Sequence, residues 1–452
     1  MSKKITLLVI GLYLLSRLFV WVFRPLAFTE IIYSYMPYAH LWASGETPYL
    51  KHWYEYPPAT IPLFFVPHLV DKYTYETPIH LSYLQAYRLQ LLLIDFGLFA
   101  LIWRVLKKYQ KISRLQLVSL IYYIFVTSKA HHFIYDTMDL SFVAAITMGL
   151  VAPLLIRREG LSKLLSWLGY FLAVALKYIN APLGFVYALL EFDLSKLSFF
   201  FAKNKSLIAN ISSNIKTNCS QLRSVFLTGI KPGLLAMTAL LLVWGLPLFY
   251  FRSSLQVSLV YHQGRGLQID SAAGSMVRLI NEFSESEKIV ERFKNYDIVG
   301  PVSQQFLSAI ETIFPVSIAF FLLYASFLIF KYRQFSASHK SWLAVYLTIL
   351  FFLIFMLSGK VLSTPFLLWL LPLLALYPFK DIRQQLSFLL PSALIIVMSM
   401  TGWPDTDLFS LIHLHVILIN LRWILFSIML VRWLELADEI KDIRPVTKDL
   451  DS

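Results

Sequence analysis

Apolar residues run along this chain in long blocks, separated by polar stretches that carry most of the charge. The blocks are long enough to cross a bilayer core of roughly 30 Å at about 1.5 Å per helical residue. They predict helices over 5–23, 84–106, 115–128, 140–156, 164–178, 180–192, 226–250, 305–330, 341–358, 361–378, 386–402 and 412–434. That is about twelve spans, an even number, which places both chain ends on one side. The pair 164–178 and 180–192 is the least regular, because each half is short and Asn180 and Pro182 interrupt it. Two lysines precede the first block in the manner of a signal peptide, but no small-residue cleavage site follows, and Arg17 and Arg24 do. It reads as an uncleaved first helix.

Two of the intervening segments, 24–83 and 251–303, are far longer than connectors, and loops beyond about 15 residues usually carry function. With the N-terminus cytoplasmic both are external. The first is rich in aromatics and prolines, as in Tyr49-Leu50-Lys51-His52-Trp53-Tyr54-Glu55-Tyr56-Pro57-Pro58, and reads as short amphipathic helices at the membrane surface. Within it, 59–70 is apolar but short and holds two prolines, so it dips rather than spans. A third polar segment, 193–225, is basic and cytoplasmic. Its Asn-x-Ser sequons at Asn204, Asn210 and Asn218 therefore face the wrong side for glycosylation. No internal repeat of the inverted-transporter kind is visible. The expectation is one membrane domain over 1–452 ending in a cytoplasmic tail, 435–452.

Composition narrows the class. Of 452 residues, 58% are hydrophobic and 15% charged, against about 25% charged in a soluble domain. A soluble enzyme, a disordered scaffold, a disulfide-rich secreted domain and a coiled coil are excluded. The fold class is an all-α polytopic membrane protein. The net charge of +13 bears on orientation before it bears on nucleic acid, which is not an expected partner. The cytoplasmic loops hold Lys107, Lys108, Lys111, Arg114, Arg157, Arg158, Lys163, Lys331, Arg333, Lys380 and Arg383, and every short loop follows the positive-inside rule. A single cysteine, Cys219, excludes an intrachain disulfide and a cysteine-rich metal site.

A charge at the centre of a membrane helix costs roughly 2.5–3.5 kcal/mol on the insertion scale, so the few inside the blocks need partners. Asp95 lies mid-block, two helical turns after Arg88 and on the same face; Arg422 lies in the last block, below His413 and His415. Helix-to-helix pairing or snorkelling is the simplest account of each. At the outer block ends the set is denser. Lys129-Ala130-His131-His132-Phe133-Ile134-Tyr135-Asp136-Thr137-Met138-Asp139 offers two imidazoles and two carboxylates, donors that suit a divalent metal. The spacing matches no defined site, and a lip hydrogen-bonded to its neighbours is at least as good an account, so the expectation is no bound metal and no cofactor. Lys177 and Lys360 also sit at outer ends, where snorkelling is the default. The second long segment contributes His262, Gly264, Arg265, Gly266 and Asp270; glycine beside arginine lets backbone approach a ligand, and arginine suits phosphate. With Glu30, Glu46 and Glu55, the outer face combines carboxylates with cations. A carboxylate base within reach of a hydroxyl, beside cations that stabilise a phosphate leaving group, is what transfer from a phosphate-linked donor requires. The same groups could line a solute pathway, and composition does not choose between the two.

The order of motifs does favour one. Thr29-Glu30-Ile31-Ile32-Tyr33, Tyr38-Ala39-His40-Leu41-Trp42-Ala43-Ser44-Gly45-Glu46-Thr47-Pro48-Tyr49 and Tyr54-Glu55-Tyr56-Pro57-Pro58 resemble the acid–tyrosine, amphipathic helix, Gly-x-x-Pro-Tyr and Tyr-Pro-Pro order of glycosyltransferase family 87. These are polyprenyl-phosphate-sugar-dependent enzymes of the GT-C superfamily. Later segments resemble the same family in order: Ala173-Val174-Ala175-Leu176-Lys177-Tyr178-Ile179-Asn180-Ala181-Pro182, then Arg265-Gly266-Leu267-Gln268-Ile269-Asp270-Ser271, then Lys360-Val361-Leu362-Ser363-Thr364-Pro365-Phe366-Leu367-Leu368-Trp369-Leu370-Leu371-Pro372. The resemblance implies a GT-C-like fold, a cytoplasmic N-terminus and a catalytic first external loop with Glu30 as general base. Glutamate stands here where the family more often has aspartate, and Ala59 where a bulky apolar residue usually follows the prolines. His131, His132, Lys177, Arg265, Lys360, Tyr33 and Tyr56 are then expected around the donor's phosphate and sugar, with Glu55, Asp136 and Asp139 as secondary acids. The Tyr-Glu-Tyr-Pro-Pro stretch itself reads as scaffold, since the prolines fix a turn.

The implied activity is inverting transfer of a hexose, mannose first among them, from a polyprenyl-phosphate donor to a lipid or glycan acceptor at the outer face of a multi-pass membrane protein. The rival is a transporter or flippase for an amphipathic lipid or sugar-linked solute, which predicts ionisable groups near the midplane. A non-catalytic subunit of a larger complex would leave the outer charges scattered.

Overall fold

A computed structural model describes residues 2–23, 30–191, 211–292, 295–400 and 412–445. Residues 193–210 of the basic loop, with Asn204 and Asn210, and the side chains of Asn218, His413 and His415 lie outside the described residues.

The apolar blocks are helices. α1 covers Lys3–Phe23. A π-helical turn, Ile31–Tyr35, leads into α2, Met36–Ala43, and α3 covers Thr60–Thr74. Then come α4, Tyr83–Tyr109; α5, Ser113–Lys129; a short α6, His131–Asp136; α7, Asp139–Leu155; α8, Glu159–Leu176; and α9, Leu183–Glu191. α10, Ile211–Phe251, is followed by α11, Gln256–Gln263, and α12, Ala272–Ser284. The last third holds α13, Pro301–Lys331; α14, Ala337–Ser358; α15, Leu371–Leu376; α16, Ile382–Met400; and α17, Ile412–Glu435. Among the described residues seven helical stretches are long and apolar enough to cross a membrane: Lys3–Val22, Tyr83–Tyr109, Ile230–Gln263, Pro301–Lys331, Ala337–Ser358, Ile382–Met400 and Val416–Asp442. The chain is an all-α polytopic membrane protein in its helices. α14, 83% of whose apolar window is buried, is the central column; α1 turns Leu7, Leu8, Leu15 and Phe19 outward, as a lipid-facing helix does.

The remaining expected spans are shorter or broken. The irregular pair is a hairpin: α8 ends at Leu176, a 3-10 turn Tyr178–Asn180 reverses the chain, and α9 returns beside α8 until Glu191 pairs with Lys163 at 3.0 Å. The stretch 361–378 is a 3-10 helix, Thr364–Trp369, running into α15. It leads from Lys360, whose carbonyl binds Gln268 N–H, down to Phe379, whose carbonyl accepts Gln110 Nε2 at 2.8 Å just past the far end of α4. Pro365 and Pro372 break its helix, and a broken backbone at this depth is tolerated because protein, not lipid, surrounds it. α7 and α8 cross with backbones touching: a Cβ on Gly169 would lie 2.6 Å from the Cα of Gly149.

The segment 59–70 is part of α3, whose 15 residues are too few to span. Pro67 withholds the N–H that Leu63 O would receive, and Gln90 Nε2 from α4 supplies a donor at 3.1 Å; Tyr83 OH binds the next carbonyl, Phe64 O, at 2.9 Å.

The second long segment is not wholly helical. β1 (Leu267–Gln268), β2 (Lys288–Arg292) and β3 (Asn295–Val299) form an antiparallel sheet in the order β1-β3-β2, with Gln268 opposite Asp297 and Val290 on its other side. The alternation in these strands is too brief to stand out against long apolar blocks. Leu267, Val277, Ile298 and Ile310 form a small core beneath it, apart from the main one.

Candidate active site

The first external segment fixes its own acids through tyrosines. Glu30 opens the π-helical turn and is half-buried, accepting a hydrogen bond from Tyr56 OH at 3.2 Å. Burial, and then the adjacent Glu30 carboxylate, push the Tyr56 phenol well above its usual range, so it stays a donor. Tyr38 OH donates to Glu55, which is buried, and burial followed by Glu55 likewise raises the Tyr38 phenol. Tyr49 sits in the left-handed region at φ 63, a conformation costing roughly 1–2 kcal/mol for a non-glycine residue. Its OH binds Tyr56 O at 2.5 Å and its ring packs against Tyr54 and Phe251, which offset that cost.

Each later motif is tied to this one. Ala59 N–H donates to Ala175 O at 2.9 Å, joining the Tyr-Pro-Pro turn to the end of α8. Two residues on, Lys177 binds Asp139 Oδ1 at 2.7 Å and lies over the rings of Phe366 (4.3 Å) and Trp369 (5.1 Å). Trp369 Nε1 donates to the same Asp139 oxygen at 2.7 Å. Tyr178 OH meets Ser258 Oγ of α11 at 2.9 Å. His262 lies near the main chain of Glu55 and close enough to Arg265 and Lys177 for their charges to act on it. Gln268 N–H donates to Lys360 O at 3.0 Å, and Lys360 Nζ reaches Gln263 O at 3.2 Å and, more loosely, Glu311 at 3.8 Å. Lys177 lies close enough to Glu30 and Arg265 for the charge of each to act on it; so does Tyr261, with Glu30, Glu55 and Arg265 around it.

Glu30, Tyr56, Glu55, Lys177, Asp139, Arg265 and Lys360 therefore form one cluster at one end of the bundle, drawn from five separate parts of the chain. Several sequence expectations change. Lys177 does not snorkel; it is half-buried, paired with Asp139 and lying on the Phe366 and Trp369 rings. Asp139 is committed to Lys177 and Trp369, and Asp136 to Arg88 at 3.0 Å, so neither stands open as an alternative base. With both carboxylates turned to cations, the His131–Asp139 stretch does not assemble metal donors, and among the described residues no group of three such side chains gathers. The His131 ring lies 4.2 Å from that of His132, tilted by 34°, and contacts Ser128 O at 2.8 Å, at the α5–α6 corner. Tyr33 is 61% exposed on the outer side of its turn.

Charge pairing inside the bundle is also specific. Asp95 does not serve Arg88; it pairs with Arg17 of α1 at 2.7 Å and accepts from Tyr13, Tyr123 and Tyr135 at 2.7, 2.6 and 2.9 Å. Arg17 also donates to Thr127 at 2.6 Å and Ser128 at 3.2 Å. Arg422 donates to Ser399 at 2.8 Å and Asp270 O at 2.6 Å, tying α17 to the second external segment. An arginine placed well inside the first apolar block was the available sign of the Arg17 pair. Asp139 as the partner of Lys177, and Trp369 as its lid, had no such sign, because nothing local links residues so far apart.

Compared with protein-family models, with curated proteins and with solved structures, the chain matches none.

Proposed function

We propose that the protein is an integral-membrane glycosyltransferase of the polyprenyl-phosphate-sugar-dependent kind, GT-C-like, with about twelve passes once the short and broken helices are counted. The reading rests above all on the convergence of the four motif segments on Glu30, Lys177, Arg265 and Lys360. In it, both termini are cytoplasmic and the cluster faces outward. The Lys331–Asp438 and Gln384–Glu439 contacts hold the opposite end, where the basic short loops gather.

Chemically, Glu30 takes the proton of an acceptor hydroxyl as that oxygen attacks the anomeric carbon, and the lipid phosphate leaves from the opposite face, inverting the centre. Tyr56 orients the base. Arg265, which has no ion-pair partner within 4.0 Å among the described residues, and Lys360 take up the charge on the leaving phosphate. A retaining route needs a second carboxylate about 5–5.5 Å away; Glu55, buried and bound by Tyr38, is poorly placed for it. A groove of about 660 Å³ lined by Leu12, Leu15, Phe19, Ile121 and Phe125 runs between α1 and α5 and offers an apolar bed for the polyprenyl tail. A transport reading needs a midplane ionisable group with unfilled valence; Asp95 is saturated, and Arg422, whose Nε alone lacks a partner, is tied to Ser399 and Asp270 O.

The test is transfer of labelled mannose from polyprenyl-phosphate mannose into a membrane extract by wild type and Glu30→Gln. Transfer abolished in a folded variant supports class and base together. Transfer that survives keeps the class and removes Glu30 as its base. No transfer from mannose or glucose donors returns the protein to the transporter class.

A further inference from the structure

Behind the Arg265 turn lies a group that the transfer chemistry does not use. Asp297, on the central strand β3, is 1% exposed. One oxygen, Oδ2, accepts the N–H of Gly266 at 3.2 Å, so the residue after Arg265 is pinned to it. A Cβ at position 266 would come within 2.7 Å of that oxygen, which is why glycine stands there. The other oxygen, Oδ1, is buried without a partner.

Gln268 is directly opposite Asp297 in the β1–β3 register, so the two side chains share one face of the sheet. Its orientation follows from a chain of donors. Tyr296 N–H donates to Asn295 Oδ1 at 3.1 Å, which fixes that atom as the oxygen. Gln268 Nε2 donates to the same Asn295 Oδ1 at 2.7 Å, which fixes the amide of Gln268 in turn. Gln268 Oε1 is thereby left buried and without a donor, like Asp297 Oδ1. Two buried acceptor oxygens on paired positions of one sheet face each carry the cost of an unmade hydrogen bond. A metal cation in that place is opposed by Arg265, Arg292 and Lys360, all close enough to act on Asp297.

We propose that Asp297 is a positioning residue held as the neutral acid, its Oδ1 proton shared with Gln268 Oε1 while Oδ2 holds the Arg265-Gly266 turn. Arg265 is thus aimed without being neutralised, and stays available to a phosphate. Burial moves the Asp297 carboxyl in the required direction, upward, against the Gly266 N–H, Arg265, Arg292 and Lys360, which act to lower it. Tyr261 is the other titratable group near enough to sense it. The role in aiming Arg265 rests on the transferase reading; the proton does not.

The test uses the purified full-length chain. Infrared difference spectra of wild type against Asp297→Asn at neutral pH should show a protonated-carboxyl band that the variant lacks. An ionised-carboxylate difference in its place overturns the proposal. Asparagine reproduces the neutral acid, with Nδ2 donating to Gln268 and Oδ1 accepting from Gly266. Asp297→Asn should therefore keep its Tm and hold the donor KM within about twofold, while Asp297→Leu raises KM about tenfold with a smaller change in kcat. If asparagine is as damaging as leucine, the negative charge is what matters and the proposal fails. Should wild type show no transfer, the spectra and Tm still decide the protonation while the transferase reading falls separately. Should Asp297→Leu not accumulate, the asparagine comparison stands alone.

Discussion

Two acid–base clusters in this molecule are built from the same residue types and do opposite things. Around Asp95, in the heart of the bundle, every charge is met: Arg17 pairs with it, three tyrosines donate to it, and Thr127 and Ser128 absorb the remaining guanidinium hydrogens. Around Glu30, apart from the Lys177–Asp139 pair, the charges stop short of one another. Glu30 is half-buried on one tyrosine contact, Arg265 has no counter-ion among the described residues, and Lys360 reaches its carboxylate at only 3.8 Å. A saturated network stabilises, and an under-saturated one has capacity to bind. The difference, more than the presence of charge in a membrane protein, separates a pin from a site.

That contrast can be broken at several points. The largest effect belongs to Glu30→Gln, which should reduce transfer by about 10²–10⁴-fold, the span of a lost general base, with Tm unchanged. Removing one member of the saturated cluster should do the reverse. Asp95→Ala leaves Arg17 buried and uncompensated and should cost about 3–5 kcal/mol in detergent unfolding. Transfer per folded molecule should stay near wild type, and a collapse of turnover without loss of stability would erase the distinction. Third, Arg265→Gln should weaken donor binding about 10- to 100-fold, read as a rise in KM, because a charge-assisted phosphate contact contributes about 1.5–3 kcal/mol. Smallest, Trp369→Phe removes the Nε1 donor to Asp139 but keeps an aromatic surface under Lys177, and should cost about 0.5–1.5 kcal/mol of stability. A larger loss of activity than of stability there would mean that Lys177 is aimed by Trp369 rather than merely packed against it.

Much of the bundle was legible in the chain because apolar length is a strong, local signal. Helices such as 84–106 and 341–358 appear within a few residues of their expected bounds as α4 and α14. The short halves of 164–192 and their interruption at Asn180 and Pro182 did announce the hairpin, whereas 361–378 was visible as apolar but not as broken, since what permits an irregular crossing is the protein packed around it. The sheet at 267–299 escaped because its strands are two to five residues long. In the site, motif order brought forward Glu30, Lys177, Arg265 and Lys360, which do gather. It could not tell which acids were already spent: Asp136 and Asp139 differ from Glu30 only in what lies across from them. The pairing of Asp95 with Arg17 rather than with Arg88 is of the same kind, since residues on one helical face point toward partners the local sequence does not contain.

The broken crossing from Lys360 to Phe379 also bears on how the molecule is made. A stretch with two prolines and a 3-10 segment leaves backbone groups that hydrocarbon would not satisfy. It is not stable as a lone helix in lipid. What satisfies it is burial against α7 and α14, both earlier in the chain, so those helices have to be in place before it can fold. The lysine, the tryptophan lid and the aromatic roof over Lys177 ride on that one segment, so the cluster cannot exist in a half-inserted chain.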